Sequence, residues 1–86
     1  MLTKKVTINI ENGLEARPVA MLVQVASQFD SEIHVESKGG KTVNAKSIMG
    51  MMTLGLSAGE TVVVIANGAD EAEAVDKIEK YLSASN

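Results

Sequence analysis

Glu60-Thr61-Val62-Val63-Val64-Ile65-Ala66-Asn67 (ETVVVIAN) is the stretch on which the fold turns. It is apolar on both faces and rich in β-branched residues, so it reads as a central strand of a sheet. Asn67-Gly68 ends it. Asp70 with Glu73 three residues later then spells a capping box, and Val75, Ile78 and Leu82 form the inward stripe of a final helix.

Upstream, Lys41-Thr-Val-Asn-Ala-Lys46 and Glu32-Ile-His-Val-Glu-Ser37 alternate polar and apolar residues. They predict two strands, with Ile33, Val35, Val43 and Ala45 facing inward. Lys38-Gly-Gly-Lys41 is the hairpin turn between them, with the two glycines expected to supply positive φ. Ser47 to Leu54 reads as a short helix with Ser47 as N-cap, and Gly55 and Gly59 bracket its exit. Val6, Ile8 and Ile10 alternate with Lys5, Thr7 and Asn9 to give a first strand, broken at Asn12-Gly13. From Ala16 to Phe29 the apolar residues Val19, Leu22, Val23, Ala26 and Phe29 recur at helical spacing, with Pro18 in the first turn.

The predicted order is therefore β-α-β-β-α-β-α, an α+β domain with four strands in a mixed or antiparallel sheet and helices on one face. The other face is expected to be wet, because Lys5, Thr7, Asn9, Glu32, His34, Glu36, Thr42 and Asn44 all point there. With 86 residues the chain is expected to be one domain (1–86) with a small aliphatic core, since Phe29 and Tyr81 are its only aromatics.

Composition narrows the function. A formal net charge of −3 argues against nucleic-acid binding, which needs clustered Lys and Arg. No stretch approaches the roughly 20 apolar residues of a membrane span. The alternating start, Met1 to Ile10, does not resemble a signal peptide. Absence of cysteine suits a reducing cytoplasm and removes thiolate chemistry. His34 is the sole histidine and sits between Glu32 and Glu36 on the polar side of a strand; it reads as a solvated residue. No metal site, cofactor motif or catalytic constellation is expected, and an acid or base role for Glu15 lacks a second catalytic group.

Two stretches carry what chemistry there is. Asn12-Gly-Leu-Glu-Ala-Arg-Pro18 opens a helix, where free N–H groups and Arg17 favour an anion, yet Glu15 is itself an anion. Local pairing of Glu15 with Arg17 is the plainer explanation. Lys46-Ser-Ile-Met-Gly-Met-Met52 places three methionines in four positions, a polarizable surface suited to adaptable recognition, although Met49 or Met52 can also serve the core. Ser47 is first an N-cap, but a phosphate there would meet free N–H groups. The residues describe an interaction module, not an enzyme.

The segments Gly13-Leu-Glu-Ala-Arg-Pro18 and Lys41-Thr-Val-Asn-Ala-Lys-Ser-Ile-Met-Gly50, with the element order from Val6 to Leu82, resemble the HPr family of sugar phosphotransferase-system phosphocarriers. The resemblance implies an open-faced β-sandwich, a four-stranded antiparallel sheet with three helices on one side. It implies that Glu15 occupies the position of the family's phosphoacceptor histidine, and that Ser47 matches the serine phosphorylated by HPr kinase/phosphorylase. The Crh-type branch, which lacks the histidine and keeps the serine, is similar in this respect, although it usually carries glutamine there. That similarity implies a cytoplasmic regulator of carbon catabolite repression whose phospho-Ser47 form is corepressor to a CcpA-type regulator. Arg17, Ala20, Met21, Gln24, Ile48, Met49 and Met52 would form the docking face, together with Glu15. The alternative is a phosphocarrier whose histidine is replaced by Glu15, inactivating or imitating phosphohistidine, with enzyme I and sugar permease domains as partners.

Overall fold

The computed structural model describes residues 1–10, 16–55 and 57–83. The Asn12-Gly13 turn and Glu15 lie outside them, as does the side chain of Arg17. The elements run β1 (Leu2–Thr7), α1 (Ala16–Ser27), β2 (Glu32–Glu36), β3 (Thr42–Asn44), α2 (Ile48–Met52), β4 (Thr61–Asn67) and α3 (Glu71–Ser83). The strands form one sheet in the order β1-β4-β2-β3, and every neighbouring pair is antiparallel.

β4 is central, as its two-sided apolar character predicts. Lys4, Val64 and Val35 align across β1, β4 and β2, as do Lys5, Val63 and Glu36 in the adjacent row. Because strand side chains alternate, one face gathers Val6, Val62, Val64, Ala66, Ile33 and Val35, all buried. Val19, Leu22 and Ala26 of α1, Met51 of α2, and Ala74, Val75, Ile78 and Leu82 of α3 close over them in one core. Each fully buried Leu, Ile or Val contributes roughly 1.5–3 kcal/mol, so aliphatic residues suffice without aromatics. The opposite face carries Lys5, Thr7, Glu32, His34, Glu36, Thr42 and Asn44, with Val63 and Ile65 half-buried among them.

Lys4 lies on the helix side of the sheet at the exposed edge strand, where its ammonium meets Glu79 of α3 at 3.0 Å. In the hairpin turn only Gly40 takes positive φ, at 90°; its N–H donates to the Ser37 carbonyl at 2.9 Å.

Several boundaries differ from the sequence reading. β1 stops at Thr7 because Asn9 turns its N–H to the Leu82 carbonyl at the end of α3 (2.7 Å), while Ile8 stays buried beside the loop before β4. α1 ends at Ser27, and Phe29 packs half-buried in the turn beyond it. α2 spans only Ile48–Met52 within the expected Ser47–Leu54.

The capping box at α3 is assembled differently. The Asp70 carboxylate leaves its own helix and accepts from the Asp30 N–H (2.9 Å), the Ser31 N–H (3.0 Å) and the Ser31 hydroxyl. Glu71, not Glu73, reaches back to the Gly68 N–H at 3.1 Å. The Ser31 hydroxyl first, then the Asp30 N–H, hold the Asp70 carboxyl below its ordinary pKa. A group with a lowered folded pKa adds stability that is complete above its unfolded pKa and lost as pH falls through the folded value. Acid titration of the urea midpoint should therefore show stability dropping below pH about 4. Asp70→Asn should weaken the fold at neutral pH and flatten that acid limb. An unchanged acid limb would remove Asp70 from the account.

Candidate functional site

The site is built where α1 and α2 pack together. Asn44 fixes the approach to α2: its carbonyl accepts the Ser47 N–H at 3.0 Å, and its side-chain oxygen accepts the Lys46 N–H at 2.8 Å. Ser47 then stands as N-cap in extended conformation, φ −110° and ψ 115°, with its Oγ accepting the Gly50 N–H at 3.1 Å. At the other end of α2, Thr53 returns its N–H and hydroxyl to the Gly50 carbonyl, and Lys41 donates to the Thr53 carbonyl at 3.3 Å. Cations suit the electronegative end of a helix.

The short helix divides its side chains sharply. Met51 is fully buried, while Ile48, Met49 and Met52 are exposed, Met49 by 81%. The core methionine is thus Met51, and Met49 and Met52 lie at the surface. On α1, Met21 and Gln24 are exposed and Ala20 half-buried. The structure thus brings Ala20, Met21, Gln24, Ile48, Met49 and Met52 onto two touching helices. Arg17 lies in the first turn of α1, although its side chain is undescribed.

Three further positions organise this face. The Lys46 ammonium donates to the Phe29 carbonyl at 2.6 Å, tying the entrance of α2 to the end of α1. The Tyr81 hydroxyl donates to the Pro18 carbonyl at 2.8 Å, tying α3 to the start of α1. Burial raises the Tyr81 pKa, which keeps it a neutral donor across the physiological range. Asp70 anchors the α1–β2 connection from the α3 side. Sequence spacing gives no sign of these contacts, because each joins elements far apart in the chain.

His34 lies half-buried on the open sheet face, opposite Ile65 on one side and Asn44 on the other, away from the helices. Among the described residues no group of three His, Cys, Asp or Glu residues could hold a metal ion. No helix among them is long and apolar enough to cross a membrane. A groove lined by Lys5, Thr7, Glu36, Lys38, Thr61 and Val63 runs over the open sheet face, on the side away from the buried core.

A four-stranded antiparallel sheet with three helices packed on one side, two of them sharing exposed apolar side chains, defines a small open-faced α+β sandwich. The family model described as "PTS HPr component phosphorylation site" matches residues 2–84. The chain belongs to the HPr family. It is 49% identical over 82 residues to the HPr-like protein Crh of Bacillus subtilis, covering 95% of each chain. The phosphocarrier protein HPr of Bacillus anthracis strain Ames superimposes with a TM-score of 0.91 at 42% identity, covering 94% of this chain and 95% of that one. The solution structure of B. subtilis Crh gives 0.73 at 46% identity, covering 99% and 100%. The α+β fold expected from the sequence is that of the family, and HPr and Crh proteins are not enzymes.

Proposed function

We propose that this chain is a cytoplasmic, regulatory HPr-like protein of carbon catabolite repression. It is phosphorylated on Ser47 and then acts as corepressor to a CcpA-type regulator. The observation that carries this reading is Ser47 at the head of α2, its Oγ engaged by a single backbone N–H and flanked by exposed Ile48 and Met49. HPr kinase/phosphorylase with ATP would form the Oγ–P bond as the bridging P–O bond to the γ-phosphorus breaks. ADP leaves and the hydroxyl proton is lost. The added charge falls beside free N–H groups, so it alters the surface without requiring a new fold. Glu15, Arg17, Ala20, Met21, Gln24, Ile48, Met49 and Met52 are the docking residues in this reading.

Histidine phosphocarrier chemistry has no bearer here. A carboxylate at position 15 offers no unprotonated ring nitrogen, and its charge repels a phosphoryl donor. His34 stands on the open sheet face, on the far side of the sheet from α1. The close superposition with a phosphocarrier HPr favours a second reading, a carrier scaffold in which Glu15 replaces the histidine or imitates its phosphorylated form.

Two phosphorylation assays separate the readings. Incubation with the kinase and ATP should add the mass of one phosphoryl group to the intact chain, and Ser47→Ala should abolish the gain. Labelling of Ser47→Ala to the parent level would sink the first reading. Glu15→His, supplied with enzyme I and phosphoenolpyruvate, should accept no phosphoryl group for onward transfer if the chain is a dedicated regulator. Efficient delivery to a sugar permease domain would establish the carrier reading instead.

A further inference from the structure

The residue before Ser47 has a backbone that cannot turn freely, because the Lys46 and Ser47 N–H groups are both held by Asn44. Its side chain alone is free to change partner. In this structure its ammonium is spent on the Phe29 carbonyl at 2.6 Å, in a half-buried position. Phe29 lies just beyond the last turn of α1, where Gln28 donates to the Val25 carbonyl and Phe29 to the Ala26 carbonyl, both at the long distance of 3.2 Å. The next two residues, Asp30 and Ser31, are held by Asp70 of the α3 entrance. Lys46 is therefore the tie between the end of α1 and the entrance of α2.

Resting on the reading that Ser47 is phosphorylated, we propose that Lys46 is a phosphate-responsive latch. Unmodified, it holds the Phe29 carbonyl and closes the end of α1. A phosphoryl group on Ser47 draws the ammonium to itself and releases that end. The peptide carbonyl is a neutral acceptor, whereas a phosphoserine carries about −1.5 to −2 charges and three acceptor oxygens. The bond to the carbonyl is charge-assisted by the ammonium alone, whereas phosphoserine adds an opposite charge and its Coulomb attraction, so it is the stronger partner for Lys46. Lysine fits the task because its ammonium rides on a flexible four-carbon stem and can be redirected without moving the backbone. The modification would then be read on α1 as well as on α2, the two helices that carry Met21 and Met49.

The test places phosphoserine at position 47 during translation, so that no kinase is needed, and follows amide hydrogen exchange by NMR. Gln28 and Phe29 should exchange about tenfold faster in the phosphorylated chain, the loss expected for one charge-assisted hydrogen bond. Val64 in the central strand should not change. Lys46→Met, which keeps the apolar stem, should show the same acceleration without phosphate and gain nothing more from it. Lys46→Gln, without the charge, should be equally indifferent to phosphate. Unchanged exchange at Gln28 and Phe29 on phosphorylation overturns the latch, and so does equal acceleration by phosphate in the Lys46 variants. If the kinase fails to label Ser47 while these exchange differences appear, the functional reading falls and the latch stands.

Discussion

Gly68→Ala should destabilise the protein by about 3 kcal/mol, a large share of the about 5–10 kcal/mol available to a domain of this size. A Cβ at this position would lie 2.7 Å from the Ser31 Cα and 2.9 Å from its Cβ. Neither atom can retreat cheaply. Ser31 is buried, and its N–H and hydroxyl are both bound to Asp70. The loss therefore combines overpacking with disruption of the clamp that joins the α1–β2 connection to α3. Gly39→Ala is the contrast: its nearest neighbour would be the Ser37 Oγ at 4.0 Å, and its φ is not positive. That change should stay within about 0.5 kcal/mol. Urea unfolding of the two variants decides the matter, and similar midpoints would refute the close-approach explanation.

Met51→Ala should cost about 3 kcal/mol through lost burial and the cavity left behind. Met51 is the one residue of α2 that is buried, so its side chain is the chief apolar attachment of that helix to the core. Met49→Ala, at a position 81% exposed, should leave stability within about 0.5 kcal/mol. If the docking face is as proposed, Met49→Ala should instead weaken binding to the regulator while the urea midpoint holds. Equal losses of stability from both variants would mean that α2 does not divide its methionines between core and surface.

Much of this architecture was legible because it rests on local pattern. Consecutive β-branched residues in Thr61–Ile65 placed β4 at the centre of the sheet, and alternation in Ile33–Val35 fixed which face of β2 is inward. Ser47 was readable as a cap because the residue that caps and the N–H it meets lie three positions apart. The same local logic misled at α3. Asp70 and Glu73 have the spacing of a capping box, but three donors from Asp30 and Ser31 outbid the helix for the Asp70 carboxylate. It also missed the end of β1, where Asn9 is recruited by α3.

The methionines show the same boundary. Three in four residues told of a surface and a core anchor, but which residue served which purpose depended on the angle at which α2 meets the sheet. By itself the sequence determined the element order, the central strand, the apolar stripes and the Ser47 cap, since each follows from spacing within one element. Only the tertiary structure decided that Met51 is the anchor, that Asp70 ties α3 to Ser31, and that Lys46 spans from Ser47's neighbourhood to the end of α1. Those contacts join groups 17 to 39 positions apart, where chain periodicity carries no information and only packing brings donor to acceptor.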